Sequence, residues 1–178
     1  MIKNLSLEEL ENLKLIKFGR GKIISKKDIK KFPGSYPVYS SSKIGGGKFG
    51  EYSKFIFDEE LITWSIDGGG KFFYRNKHKF SITNVAGFIK ILNKSFINYQ
   101  YLYLVLTSLH AEIKFDWVKK AHPSVIKKLY KNIPIPNIEK QKIISNKLID
   151  ILSKFNEMIL NIEENINNLQ ILFEKNLD

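Results

Sequence analysis

The chain has 178 residues, 43% of them hydrophobic, with 29 basic and 18 acidic residues, no cysteine and a formal net charge of +11. That is enough apolar material for one packed domain with an appendage, and it excludes general disorder, a disulfide framework and a thiolate metal site. The positive excess points to a polyanionic partner, although a lysine-rich chain with only Arg20 and Arg75 as arginines also fits a biased genome composition.

In chain order, Leu5-Ser6-Leu7-Glu8-Glu9-Leu10 reads as a capping box opening a short helix, with Ser6 at the N-cap and Glu9 three residues on. Gly19-Arg20-Gly21 closes that region, and the basic run 22–31 follows. Pro33-Gly34 makes a turn before a short strand and loop over 36–42. Then Gly45-Gly46-Gly47-Lys48-Phe49 returns 23 residues later as Gly68-Gly69-Gly70-Lys71-Phe72. A phosphate-binding loop would need Ser or Thr after the lysine and a helix beyond it. Both lysines instead precede phenylalanine and alternating apolar and charged residues, which suits glycine turns feeding strands. Strands are expected near 52–57, 61–66, 71–75 and 79–92, the last with Gly87 as a bulge.

The period changes at 98–115, where Tyr101, Leu102, Val105, Leu106, Leu109 and Ile113 recur at three and four, as in a helix packed on a core. Residues 116–137 read as a turn, a short helix and an extended linker punctuated by Pro134 and Pro136. Beyond it, Leu148, Leu152, Phe155, Ile159, Ile162, Ile166, Leu169 and Phe173 follow a 4,3 spacing for more than three heptads, the pattern of a coiled-coil seam. Ile144, Ile151, Met158 and Leu172 widen the face, with Asn165 interrupting. No Pro or Gly follows Asn137, so a single helix of ~57 Å is expected at 1.5 Å per residue.

The charge is unevenly placed. Residues 1–138 hold 24 basic and 11 acidic residues, and residues 139–178 hold 5 and 7. A general lysine bias would not by itself concentrate the excess in one part, so the N-terminal part carries the footprint of a nucleic-acid surface. The domain boundaries expected are 1–137 for the basic domain and 138–178 for the helix. No run reaches a membrane span, and the N-terminus lacks the apolar core of a signal peptide, so a cytoplasmic protein is expected.

Several features together carry a resemblance. The segment 36-YPVYSSSKIGG-46, the 98-NYQYLYLVL-106 helix, and 121-AHPSVIKKLYKNIPIPNIEKQKII-144 stand in order before the long helix. Ile133-Pro134-Ile135-Pro136 followed by Glu139-Lys140-Gln141 is similar to the apolar-Pro-apolar-Pro and Glu-Gln junction of type I restriction-modification DNA specificity subunits. The lysine between Glu139 and Gln141 departs from the commoner form. The resemblance covers most of the chain, but it is to half of such a subunit, which carries two recognition domains and two helices.

It implies an α+β fold: a globular target-recognition domain with a small mixed or antiparallel sheet and packed helices, then a long C-terminal coiled-coil helix. It also implies a non-catalytic, cofactor-free role. The chain would bind double-stranded DNA, position separate methyltransferase and restriction subunits on an interrupted site, and form a homodimer through the eight seam residues.

For DNA contact, the sequence singles out Lys43, Lys48, Lys71, Arg75, Lys77 and His78 on one face, and Lys119, Lys120 and His122 on a second loop. Arg75 is expected to read guanine, because its fork can bond O6 and N7 together. Two other readings are weighed. One is an assembly protein with non-specific nucleic-acid binding. The other is a small Mg²⁺ nuclease built on Glu112-Ile113-Lys114, which lacks a suitably placed upstream aspartate, the nearest being Asp67. His78, His110 and His122 have no metal-type spacing, and no metal site is expected.

Overall fold

The computed structural model describes residues 3–41, 45–67, 69–113 and 120–175. The expected contacts at Lys43 and Lys119, and Lys114 of the Glu-x-Lys pair, lie outside the described residues. In order, the elements are β1 (Lys3–Leu5), α1 (Leu7–Asn12), β2 (Ile16–Arg20), α2 (Lys26–Lys31), β3 (Tyr36–Tyr39), a 3₁₀ turn (Gly45–Gly47), β4 (Lys48–Tyr52), β5 (Phe57–Ser65), β6 (Phe72–Ile82), β7 (Ala86–Ile91), α3 (Tyr99–Glu112), α4 (Pro123–Leu129), β8 (Ile133–Ile135) and α5 (Ile138–Lys175). The α+β class with a long C-terminal helix is the one expected from the sequence.

Local chemistry starts the short helices. Ser6 Oγ accepts the Glu9 N–H, and the Glu9 carboxylate accepts the Ser6 N–H at 2.7 Å. The Ser6 backbone N–H, the larger cause, and its hydroxyl hold the Glu9 carboxyl below the usual range. A second capping box, Ser25 with Asp28, opens α2 inside the basic run and was not anticipated.

The main sheet has strand order β2-β7-β5-β6-β3-β4, with β3 and β6 parallel. It curls strongly. Phe80 of β6 pairs with Phe57 at the start of β5, yet Ala86 pairs with Ser65 at its end. A tight turn, closed by the Ala86 N–H donating to Thr83 O at 3.0 Å, separates β6 from β7. The two ends of β5 must therefore approach each other. The register shift between Glu59 and Leu61 supplies the bend, and a bridge between Lys22 and Thr83 partly closes the sheet.

The single strand expected over 79–92 is thus two strands with a turn between them. Gly87 is no bulge but lies in register opposite Trp64. A Cβ there would come 2.2 Å from the Trp64 ring, so the glycine makes room for that indole.

The larger core cluster lies against α1, α3 and α4, and a smaller one is made by Leu61, Phe80, Ile82 and Ala86. Trp64, Phe72, Ile62, Ile89, Leu102, Leu106, Ile126 and Tyr130 are all buried in the larger cluster. The Pro-punctuated linker contributes β8, which pairs antiparallel with β1, Lys3 opposite Ile135 and Leu5 opposite Ile133. Pro134 fits because this two-stranded sheet consists only of edges.

Immediately after β8 the chain enters α5, capped by Asn137, whose Oδ1 accepts the Lys140 N–H at 2.9 Å. The root of α5 is docked, with Gln141 and Ser145 both 0% exposed. From Asn146 to Glu174 every residue is exposed. No helix among the described residues is long and apolar enough to cross a membrane.

Candidate nucleic-acid interface

Strands, not a helix, follow both glycine-lysine turns, so neither is a phosphate-binding loop. The fold gathers three segments at the C-terminal end of β5. The Ser65 N–H donates to Lys71 O and the Gly70 N–H to Ser65 O, closing the second glycine turn at 3.1 and 3.0 Å. Ser65 Oγ donates to Ser41 O at 3.0 Å, which brings in the segment leading to the first turn. The Ala121 N–H donates to Ile66 O at 2.8 Å, and Trp64 Nε1–H donates to Ala121 O at 2.7 Å, which brings in residues 120–122.

The two turns differ in their surroundings. Gly45, Gly46 and Gly47 all have positive φ, at 57°, 63° and 83°, a backbone that only glycine adopts readily. A Cβ on Gly45 would meet nothing within 4 Å. At Gly70, with φ of 80°, it would come 3.2 Å from the His110 ring and 3.5 Å from Ala121. The first turn has open space at Gly45, and the second is packed against His110, Ala121 and Ile126.

Most of the expected DNA-contacting residues are on the surface. Lys48, Lys71, Lys77, Lys120 and His122 are exposed. Lys48 pairs with Glu51 at 2.8 Å, and that carboxylate, chiefly by its hydrogen bond, raises the lysine pKa. Lys120 pairs with Asp67 at 3.2 Å, tying the 120–122 segment to the second turn. Lys71 lies 5.6 Å from the Phe73 ring centroid. His122 serves locally as the N-cap of α4, its side chain accepting from the Ser124 N–H.

Arg75 is placed differently from the expectation of a free guanine-reading fork. It is only 7% exposed. Its Nε donates to Thr63 Oγ1 at 3.1 Å, its Nη2 donates to Gly46 O at 2.6 Å, and its guanidinium lies 3.6 Å from the Tyr39 ring centroid. Burial lowers its pKa to about 10, which leaves it charged at neutral pH. The side chain is committed to the protein's own backbone and ring, so it holds the first glycine turn instead of presenting a fork outward.

Tyr39 joins that arrangement to His78. His78 Nδ1 lies 2.7 Å from Asn76 O, to which it must donate; in the neutral imidazole Nε2 is then the acceptor for the Tyr39 hydroxyl, 3.2 Å away. The imidazole also stacks on Phe80, with centroids 4.6 Å apart. His78 is therefore half-buried and internally bonded, while Lys77 beside it is exposed. Sequence reasoning missed Tyr39 and Thr63, which carry no signal by themselves. Among the described residues, no three His, Asp or Glu side chains are grouped as metal ligands.

At the far end of the chain the eight seam residues, Leu148 through Phe173, are 41–69% exposed. Monomeric proteins rarely leave so long an apolar strip in water.

A family model described as the type I restriction modification DNA specificity domain matches residues 2–170. The putative type I specificity subunit S.MpnORF285P of Mycoplasma pneumoniae is 29% identical over 178 residues, covering 98% of this chain and 56% of the relative. The putative type I specificity subunit S.MpnORF201P of the same organism is 32% identical, covering 98% and 71%. The crystal structure of a type I restriction-modification S subunit from M. genitalium superposes with a TM-score of 0.62 at 17% identity, covering 88% of this chain and 39% of that one. The chain spans about half the length of the first curated relatives it matches, 56% and 47%.

Proposed function

Because this chain belongs to the type I restriction-modification DNA specificity family, we propose that its basic domain reads one half of a divided duplex DNA target, and that α5 pairs antiparallel with a second copy. Two domains then stand at opposite ends of one rod and read opposite strands. The observation that carries this reading is the bare stem of α5, whose eight seam residues are 41–69% exposed. A two-fold partner buries such a stripe most simply.

At the DNA, the open turn at Gly45–Gly47 approaches a groove while Arg75 steadies it from behind. Lys48, Lys71, Lys77 and Lys120 contact phosphates, which supplies affinity and salt dependence. Lys43, Lys119, His78 and His122 remain part of the proposed face. The chain itself performs no chemistry. It positions separate methyltransferase and restriction subunits, and it acts in the cytoplasm.

The test is selection of bound duplexes from a random pool, with light scattering on the free protein. The expected results are a dimer and an interrupted palindrome. One heptad inserted before Ile162 keeps the seam and should lengthen the unread gap by roughly 3 bp, since seven residues add about 10 Å against 3.4 Å per base pair. A monomer at micromolar concentration, or a selected site without two-fold symmetry, would overturn the scheme.

A further inference from the structure

The link between domain and rod is one short docked segment. The rod leaves the domain through β8 and the first two turns of α5, and one polar side chain dominates that joint. Gln141 is 0% exposed. Its Oε1 accepts the Asn98 N–H at 2.9 Å, and its Nε2 donates to Phe96 O at 2.9 Å and to Pro136 O at 2.8 Å. Both amide protons and one oxygen lone pair are used, all on backbone. Phe96 and Asn98 immediately precede α3, of which Asn98 is the N-cap, its own side chain accepting the Tyr101 N–H. Pro136 immediately precedes α5. One side chain thus holds the first turn of α5 against the first turn of α3. Nearby, Tyr101 Oη donates to Pro134 O at 2.9 Å. Ser145, one turn further along, is small and buried.

Beyond that turn none of the described residues of α5 is buried: every one from Asn146 to Glu174 is exposed. A rod held only at its root is a lever. Over ~40 Å, the rise of about 27 residues, a tilt of about 10° at the root moves the tip by roughly 7 Å. That is about two base-pair steps of duplex.

We propose that Gln141 is the positioning residue that fixes the direction of the rod on the domain, and thereby the spacing at which two recognition domains meet DNA. This rests on the divided-site reading above. The chemistry favours glutamine: alanine leaves two carbonyls and one N–H without partners, and a carboxylate would face the two carbonyl oxygens with no proton to give them.

The direct test needs no DNA. The chain has no cysteine, so Ser53→Cys and Asn168→Cys, both at exposed positions, accept spin labels selectively. The labelled protein is diluted into unlabelled protein, and the distance distribution is read by pulsed electron resonance. The expected result is a narrow distribution with Gln141, broadened by several ångströms in Gln141→Ala at unchanged helix content. Gln141→Asn keeps the amide one methylene short and should broaden the distribution less; it also decides the matter if the alanine variant does not fold. An unbroadened distribution in the folded variant overturns the assignment.

The second arm is duplex selection. The native protein should return one gap length, and Gln141→Ala should return the same half-sites over two or more. If the native protein selects no divided site, the functional reading fails, while the spin-label result still judges the hold of Gln141 on the rod.

Discussion

The domain and the stem of α5 use the same side chains for opposite ends. Ile16, Ile62 and Ile89 in the domain are at most 1% exposed, whereas Ile159, Ile162 and Ile166 in the stem are 49–55% exposed. In the domain, apolar burial, the tight Trp64–Gly87 contact and the capping boxes satisfy the chain internally. In the stem, regular 4,3 spacing writes an equally apolar face whose seam residues stay exposed among the described residues. Domain stability should therefore be a property of one chain, and the ordered state of the rod a property of two.

That contrast can be broken at either end. The largest effect is expected from Ile159→Asp with Ile166→Asp, which places two charges in the seam. Self-association measured by light scattering should disappear at micromolar concentration, while the domain's denaturant midpoint stays where it was. Loss of the domain's own folding would mean that the two regions are not independent.

Next comes Trp64→Ala, which empties the space beside Gly87 and removes a buried donor to Ala121 O. Unfolding by denaturant should show a loss of about 3–5 kcal/mol, with a two-state transition that does not depend on the seam. The smallest effect sharpens the picture of the interface. Lys71→Ala with Lys77→Ala should leave folding unchanged and make the log–log salt slope of duplex binding shallower by about 2 units, at roughly 0.9 per phosphate contact. An unaltered slope would remove both lysines from the phosphate-contacting face.

What was legible in the sequence is what is locally determined. The Ser6–Glu9 box, the paired glycine turns and the seam each sit within a few residues of their own cause. What was not legible depends on distant partners. Arg75 advertises a bidentate fork, but Thr63 and Gly46, which occupy it, lie 12 and 29 residues away. Gln141 stood in the junction that marked the family resemblance, yet its role required Phe96 and Asn98, more than forty residues upstream. The break between β6 and β7 was hidden because Thr83-Asn84-Val85 carries no glycine or proline, and apolar alternation continues across it. The repeat of GGGKF also misled in part. Both segments do form turns that lead into strands, but only the fold decides that Gly45 faces open space and Gly70 faces α3 and α4.

The pairing of β1 with β8 has a consequence for synthesis. Among the described residues Lys3–Leu5 pairs only with Ile133–Ile135, so this strand must wait until nearly the whole domain has been translated. Contacts of such long sequence separation are slow to form. The stem of α5 is made later still. The order of translation thus gives the domain, and its root glutamine, a head start before the whole apolar stripe is available to a neighbour. On the proposed pairing, a second copy would then meet a domain that is already closing, which would limit the mispairing that an exposed seam on an unfolded domain invites.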